Sequence, residues 1–351
     1  MADKKENIEV TSAARLSVAP MIDWTTRHCR YFHRLIAPRA LLYTEMITSG
    51  AIIHGGCERF LAHDPAEHPL ALQLGGSDPR DLHEATRLAG RFSFDEINLN
   101  VGCPSDRVQS GRFGACLMAE PDLVADIAGA MIEATDAPVT IKTRIGIDNA
   151  PVPDMLFELV DKAARRGVRR FIVHARQAWL KGLSPKENRE IPPLRHGIVH
   201  DLKRRYPDLT IIVNGGIASP EAALRFVRNL DGVMIGRKAY HEPMSLAAFE
   251  RTLFREAVAD PMPSPHEIVR RMADYAGRQC DAGTPVRAIA RHMLGLFAGR
   301  RGARSWRRHL GERMHEPTTG PEILLDAAAF VSEEDETHEI PSGRQGEMAC
   351  P

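Results

Sequence analysis

Short apolar runs alternate with longer stretches of mixed polarity through most of the chain. The runs are LSVA (16–19), ALLYTEMI (40–47), PLALQLG (69–75), DEINLN (95–100), PVTIKTR (138–144), RRFIVHA (169–175), LTIIVNGG (209–216) and DGVMIG (231–236). They are continuous and rich in Val, Ile and Leu, the pattern of strands covered on both faces. The stretches between them open with helix starts: Pro79 with Asp81, Pro121 with Asp122, and Ser219 before Pro220 and Glu221. Proline fixes the first turn where its missing N–H costs nothing, and an early acid faces the positive end of the helix. Eight strand–helix alternations over roughly 230 residues are the count of a (β/α)8 TIM barrel. An open doubly wound sheet would carry a G-x-G-x-x-G turn after its first strand; the turn here reads PMIDWT.

Past residue 244 the period changes. SLAAFERTLFREAV, HEIVRRMADYAGRQC, PVRAIARHMLGLFAG and ARSWRRHLGERM repeat apolar residues at helical spacing. The expected organisation is a flexible leader at 1–12, a barrel at 13–244, a small all-helical domain at 245–321, and a last segment at 322–351. That segment starts as a short helix, ILLDAAAFV, and ends in an acidic tail expected to be disordered.

Composition narrows the class without changing this picture. Of 351 residues, 43% are hydrophobic and 26% charged, as in a globular protein. No run approaches the roughly 18 apolar residues of a membrane span, and MADKKENIEV has no apolar core of a secretory signal. The cysteines (Cys29, Cys57, Cys103, Cys116, Cys280, Cys350) include no C-x-x-C pair. That argues against a zinc site or a disulfide framework and fits a reducing cytoplasm, with no metal expected. Net charge is zero but unevenly spread: Arg287 to Arg313 holds eight arginines and one acid, whereas 314–351 holds nine acids and Arg344 alone. Guanidinium clusters suit phosphates, and Trp306 among them would offer a surface for a base.

In a barrel the chemistry sits where strands end. Those ends read Pro20 and Met21, Glu45, Gln73, Asn98 and Asn100, Lys142 and Arg144, His174 and Arg176, Asn214, then Gly236 and Arg237. So many buried polar groups are costly unless they converge on a ligand or each other. The glycine turns after the last two strands, Asn214–Gly215–Gly216 and Gly236–Arg237, occupy the usual place of a barrel phosphate site. Cys103 follows Asn100 in a Gly-Cys-Pro turn. An ordinary thiol, with a pKa near 8.5, keeps its proton at neutral pH and can donate it as a general acid. The other role, nucleophile, would need an adjacent base. Lys142 can stabilise negative charge beside a flavin, with Gln73 at the ring's amide edge, or form a Schiff base; the residues alone leave both open.

The stretches SVAPMIDWTTRH, LQLGGSDP, EINLNVGCPSDRVQSGRFGACLM, IKTRIGID, FIVHARQAWLKGLSPKENREIPPL, VNGGIAS and GVMIGRKAY, in this order, closely resemble the tRNA-dihydrouridine synthases of the bacterial A-type branch. ARHMLGLFAGRRGARSWRRHL extends the resemblance into the helical part. It implies a barrel holding FMN and a helical RNA-binding domain, which together reduce the C5=C6 bond of D-loop uridines in tRNA, at positions 20 and 20a, using NADPH. It places Pro20, Met21, Ile22, Gln73, Lys142 and His174 on the flavin, and Asn214, Gly215, Gly216, Gly236 and Arg237 on its phosphate. It makes Cys103 the proton donor to C5 while hydride passes from flavin N5 to C6. Asn100, Arg144 and Arg176 fall where such enzymes hold the flipped uracil and a nearby phosphate. Lys186, Arg189, Arg304 and Arg307 fall where they touch tRNA. Two other readings remain: an FMN-dependent dehydrogenase of a free pyrimidine or dihydroorotate, which leaves the arginine cluster idle, and a tRNA-binding protein without turnover, which leaves the strand ends idle. Oligomeric state is not fixed by the sequence.

Overall fold

The structure, a computed structural model, describes residues 14–254, 262–316 and 318–333. The leader at 1–12 and the acidic tail from residue 334 lie outside the described residues.

Each apolar run contains one strand: β1 (Leu16–Val18), β2 (Leu41–Thr48), β3 (Leu70–Gly75), β4 (Glu96–Val101), β5 (Val139–Arg144), β6 (Arg170–His174), β7 (Thr210–Asn214) and β8 (Gly232–Ile235). They close in sequence order into a parallel barrel, β8 pairing back onto β1. The expected (β/α)8 barrel is the observed fold. Helices α1 (Arg27–Ile36), α2 (Ser49–Gly55), α3 (Cys57–Leu61), α4 (Pro79–Ala89), α5 (Asp106–Ser110), α6 (Pro121–Glu133), α7 (Asp154–Arg165), α8 (His196–Arg205), α9 (Pro220–Phe226), α10 (Arg237–His241) and α11 (Ser245–Leu253) complete this unit. The marked helix starts hold: Asp78 caps α4 and Ser219 caps α9 with their side chains, each with proline in the first turn.

The two-residue alternation of a strand decides what the barrel encloses. A cluster of buried side chains that includes Leu41, Tyr43, Ala71, Ile172, Ile212 and Met234 lies in its core. Two residues further along, the same faces carry Gln73, His174 and Asn214. These three polar groups thereby sit at the C-terminal ends of their strands.

The chain divides after Met262, not after residue 244. The change from strand to helix period had suggested the earlier boundary, but α11 closes the barrel, packing on α1, α9, α10 and β1. Its Leu246, Phe249 and Leu253 are buried, and an amphipathic helix must cover that face. Glu250 ties it down: Oε1 accepts from the Arg39 N–H at 2.8 Å, and Oε2 is buried with no partner among the described residues.

Burial pushes the Glu250 carboxyl up to about 7, against the pull of the Arg39 N–H and the Arg34 and Arg39 charges. A carboxyl raised in the folded state contributes stability that is full below its ordinary value and lost as pH rises through about 7. Glu250→Gln keeps an acceptor for Arg39 and is therefore expected to match the parent's denaturant midpoint near pH 4.5. At pH 8 it should exceed the parent by on the order of 1–2 kcal/mol. Equal gains at both pH values would contradict this.

The second unit, from Pro263, holds α12 (Pro265–Asp281), α13 (Arg287–Ala290), α14 (Ala303–Arg313) and α15 (Ile323–Ala328). The helix expected at 322 onward is α15, and it packs on α12 and α14, so it belongs with this unit and not with the tail. Trp306 does not offer its indole as a surface. It is fully buried, edge-on to Phe297 with centroids 5.0 Å apart, and Nε1 donates to the Met293 carbonyl at 3.2 Å. Ala303, Trp306 and Leu310 form the buried stripe of α14, and the arginines lie on its other side. Arg304, Arg307 and Arg308 are exposed and, three or four residues apart, share one face.

Candidate active site

Strands β3, β4 and β5 bring one half of the site together. Gln73 pairs in register with Asn98, and Asn100 with Lys142. Asn100 Nδ2 donates to Gln73 Oε1 at 2.8 Å. Lys142 projects from the same face, and its ammonium has no hydrogen-bond partner among the described residues. Burial lowers it to about 8, the Arg144 charge acting the same way and Cys103 opposing. A desolvated cation without an acceptor is costly, and an oxygen or anionic edge of a ligand would relieve that cost.

Cys103 lies just past β4, on a loop held at several points. Asn100 Oδ1 accepts from the N–H groups of Gly102 at 3.1 Å and Cys103 at 3.0 Å. The Cys103 carbonyl accepts from Ala115 N at 2.9 Å, and its thiol reaches Ser105 Oγ at 3.6 Å. Arg144 is buried and braces this loop against the segment after β6. Its Nε donates to the Gly102 carbonyl at 3.2 Å, and Nη1 to the Asn188 carbonyl at 2.9 Å. Arg144, which the sequence suggested as a substrate contact, therefore also joins two loops. Among the described residues no histidine or carboxylate hydrogen-bonds the thiol. His174 makes no hydrogen bond among the described residues, and burial, then the Arg144 and Lys142 charges, push it well below its ordinary value. It is a neutral imidazole at neutral pH.

The other half is a cavity of about 430 Å³ past β6, β7 and β8. His174, Arg176, Arg189, Asn214, the two glycine turns and Arg237 line it. Asn214 Nδ2 donates to the Met234 carbonyl at 2.8 Å, joining the two turns. Gly215 and Gly216 have φ of +112° and +72°, which other residues rarely adopt. A Cβ on Gly215 would come within 2.8 Å of His174 Cδ2, and one on Gly216 within 2.4 Å of Leu194 Cδ1. The turn is thus backbone laid open to the cavity. Arg237 is held by Glu190, 2.6 Å away, and Arg176 donates to the Glu190 and Pro192 carbonyls. Pro20, Met21 and Ile22 follow β1 beside Gly236, whose Cβ position lies 3.8 Å from Met21 Sδ. Ile22 is 54% exposed.

Of the residues assigned to tRNA, Arg189 lines the cavity, Lys186 is exposed outside it, and Arg304 and Arg307 stand on the helical unit. The sequence reading passed over Lys238 and His241, which also line the cavity. Their signal was the cationic run RKAYH directly after β8. It also passed over Glu96, buried inside the barrel, although EINLN alternates polar with apolar at a strand's period.

The sequence profile of the family described as "Dihydrouridine synthase (Dus)" matches residues 17–333. A protein of Vibrio parahaemolyticus named tRNA-dihydrouridine(20/20a) synthase is 55% identical over 326 residues, covering 93% of this chain and 99% of its own. One of the same name from Escherichia coli K12 is 51% identical over 329 residues, 93% of this chain and 94% of that one. Among solved structures, morphinone reductase superposes with a TM-score of 0.50 at 16% identity, over 72% of this chain and 88% of its own. That likeness concerns the barrel fold alone.

Proposed function

Since the chain belongs to the dihydrouridine synthase family, we propose that it reduces the C5=C6 bond of D-loop uridines in tRNA, at positions 20 and 20a, using FMN and NADPH. One observation carries the reading. A lysine with no hydrogen-bond partner among the described residues, a thiol held on a pinned loop and a glycine-lined cationic cavity stand around a single barrel mouth.

The residues fit a flavin mononucleotide. The turns at Gly215–Gly216 and Gly236 leave backbone open to a phosphate, with Arg176 and Arg237 alongside, and charge-assisted contacts of this kind hold phosphates well. Lys142 would face the N1–C2=O edge, where negative charge collects on reduction. Gln73 would meet the ring's amide edge, neutral His174 would contact the ring system, and Pro20, Met21 and Ile22 would cover it. When bound, the flavin supplies hydride, drawn from NADPH, to C6 of the uracil.

The chain's own part is proton delivery and grip. Cys103 gives its proton to C5, closing the enolate that hydride addition creates, and is reprotonated from solvent. Asn100, Arg144 and Arg176 hold the uracil and its phosphate. A uridine stacked in folded RNA must be flipped out to reach the mouth, at a cost of roughly a few kcal/mol. Phosphate contacts from Lys186, Arg189, Arg304 and Arg307 offset that cost. The exposed arginine face of α14 favours tRNA over a free pyrimidine as substrate.

The double variant Arg304→Ala, Arg307→Ala tests the tRNA assignment. Flavin content and kcat are expected to stay within about twofold of the parent. KM for tRNA should rise about 5- to 50-fold, and the slope of log affinity against log salt should flatten by roughly one to two units. Unchanged tRNA affinity and salt slope would remove the helical unit from the interface.

A further inference from the structure

A file of polar side chains climbs the inside of the barrel to the thiol loop, and the chemistry above gives its lower members, Glu96, Thr140 and Asn98, no role. At its foot is Glu96, fully buried, ion-paired with Arg170. The Tyr43 hydroxyl also donates to it, as does Thr140 Oγ1 at 2.6 Å. Thr140 Oγ1 accepts from Asn98 Nδ2 at 2.8 Å, and Asn98 Oδ1 accepts from Gln73 Nε2 at 2.8 Å. Gln73 Oε1 accepts from Asn100 Nδ2 at 2.8 Å. Asn100 Oδ1 then receives the Gly102 and Cys103 N–H groups.

The direction of this chain is dictated at both ends, since the Gly102 and Cys103 N–H groups at its head only donate and the group at its foot only accepts. A carboxylate only accepts. Thr140 spends its single proton on the Tyr43–Glu96 pair below, which leaves lone pairs alone for the side chain above. Asn98 must present its NH₂ downward and its oxygen upward. Gln73 and Asn100 must do the same in turn. An amide by itself can be turned end for end, exchanging donor and acceptor. Were any of these turned, two donors or two acceptors would meet in a buried place, leaving polar groups unsatisfied.

We propose that Glu96 and Thr140 are positioning residues. Through Asn98, they lock from below the way Gln73 and Asn100 present their amides, and so hold both the contact to the flavin edge and the seat of Cys103. Neither touches the reacting atoms. The consequence for catalysis rests on the proposed function; the consequence for the loop does not.

Thr140→Val is nearly isosteric and removes both the donor and the acceptor from the chain. The Gly102 and Cys103 amides are expected to exchange hydrogen about tenfold faster, while the Ile212 amide in β7 exchanges at the parent's rate. On tRNA, kcat should fall about 10- to 100-fold with KM within about twofold. Thr140→Ser restores a hydroxyl and should recover both properties. If Thr140→Val fails to fold, Asn98→Ser breaks the next link and should give the same pattern. Parent-like exchange at Gly102 and Cys103 in the broken-chain variant overturns the proposal, whether or not the protein reduces tRNA. Faster exchange with an unchanged kcat overturns its catalytic part. A parent that forms no dihydrouridine would instead count against the proposed function, with the exchange result still deciding whether the chain seats the loop.

Discussion

Cys103→Ala should lower kcat on tRNA by about 10²- to 10⁴-fold, the usual worth of a placed general acid, while the flavin stays bound and is still reduced by NADPH. The separation follows from the geometry. Cys103 is held through its backbone, its N–H on Asn100 Oδ1 at 3.0 Å and its carbonyl on Ala115 N at 2.9 Å. Among the described residues the thiol hydrogen-bonds Ser105 Oγ alone. Removing the sulfur therefore leaves the loop's backbone anchors, Lys142 and the glycine turns in place. Stopped-flow reduction of the flavin by NADPH, followed by reoxidation with tRNA, separates the two half-reactions. A parent-like rate of tRNA reduction would take Cys103 out of the chemistry.

Gly215→Val should abolish flavin loading, leaving a colourless protein, or weaken FMN binding by at least about 100-fold. Two independent costs meet at this residue. Its φ of +112° is one that a β-branched residue does not adopt, and its Cβ would fall 2.8 Å from His174 Cδ2 and 2.9 Å from Leu194 Cδ2. The turn would have to move, carrying its open backbone out of the cavity and displacing His174. Titration of the apoprotein with FMN, followed by flavin fluorescence quenching, measures the loss. Circular dichroism shows whether the barrel persists, since the site lies beyond the strands. A protein that folds and binds FMN like the parent would place the phosphate elsewhere.

The barrel was legible because each of its strands is a short apolar run between capped helices, a local signal that needs no knowledge of neighbours. That Asn214, Gly215 and Gly216 would line the barrel mouth was legible for a related reason, since they follow a strand end. The domain boundary was not. α11 reads as one more helix, and only its buried Leu246, Phe249 and Leu253 against the barrel show its allegiance. Trp306 was misread because an aromatic within an arginine run has the same composition whether it faces water or a core; Phe297 decides it. The bracing by Arg144 joins Gly102 to Asn188, a contact between distant loops that leaves no trace in either sequence. Glu96 was overlooked because an acid opening a strand ordinarily faces solvent. Inside a closed barrel it meets Arg170, Tyr43 and Thr140 from three other strands.

The most direct measurement supplies purified protein with FMN and NADPH, adds an unmodified tRNA transcript, and maps dihydrouridine nucleotide by nucleotide. Dihydrouridine at positions 20 and 20a, and its loss with Cys103→Ala, is the expected result. A flavin-loaded protein that retains tRNA, oxidises NADPH and leaves every D-loop uridine unsaturated would contradict it.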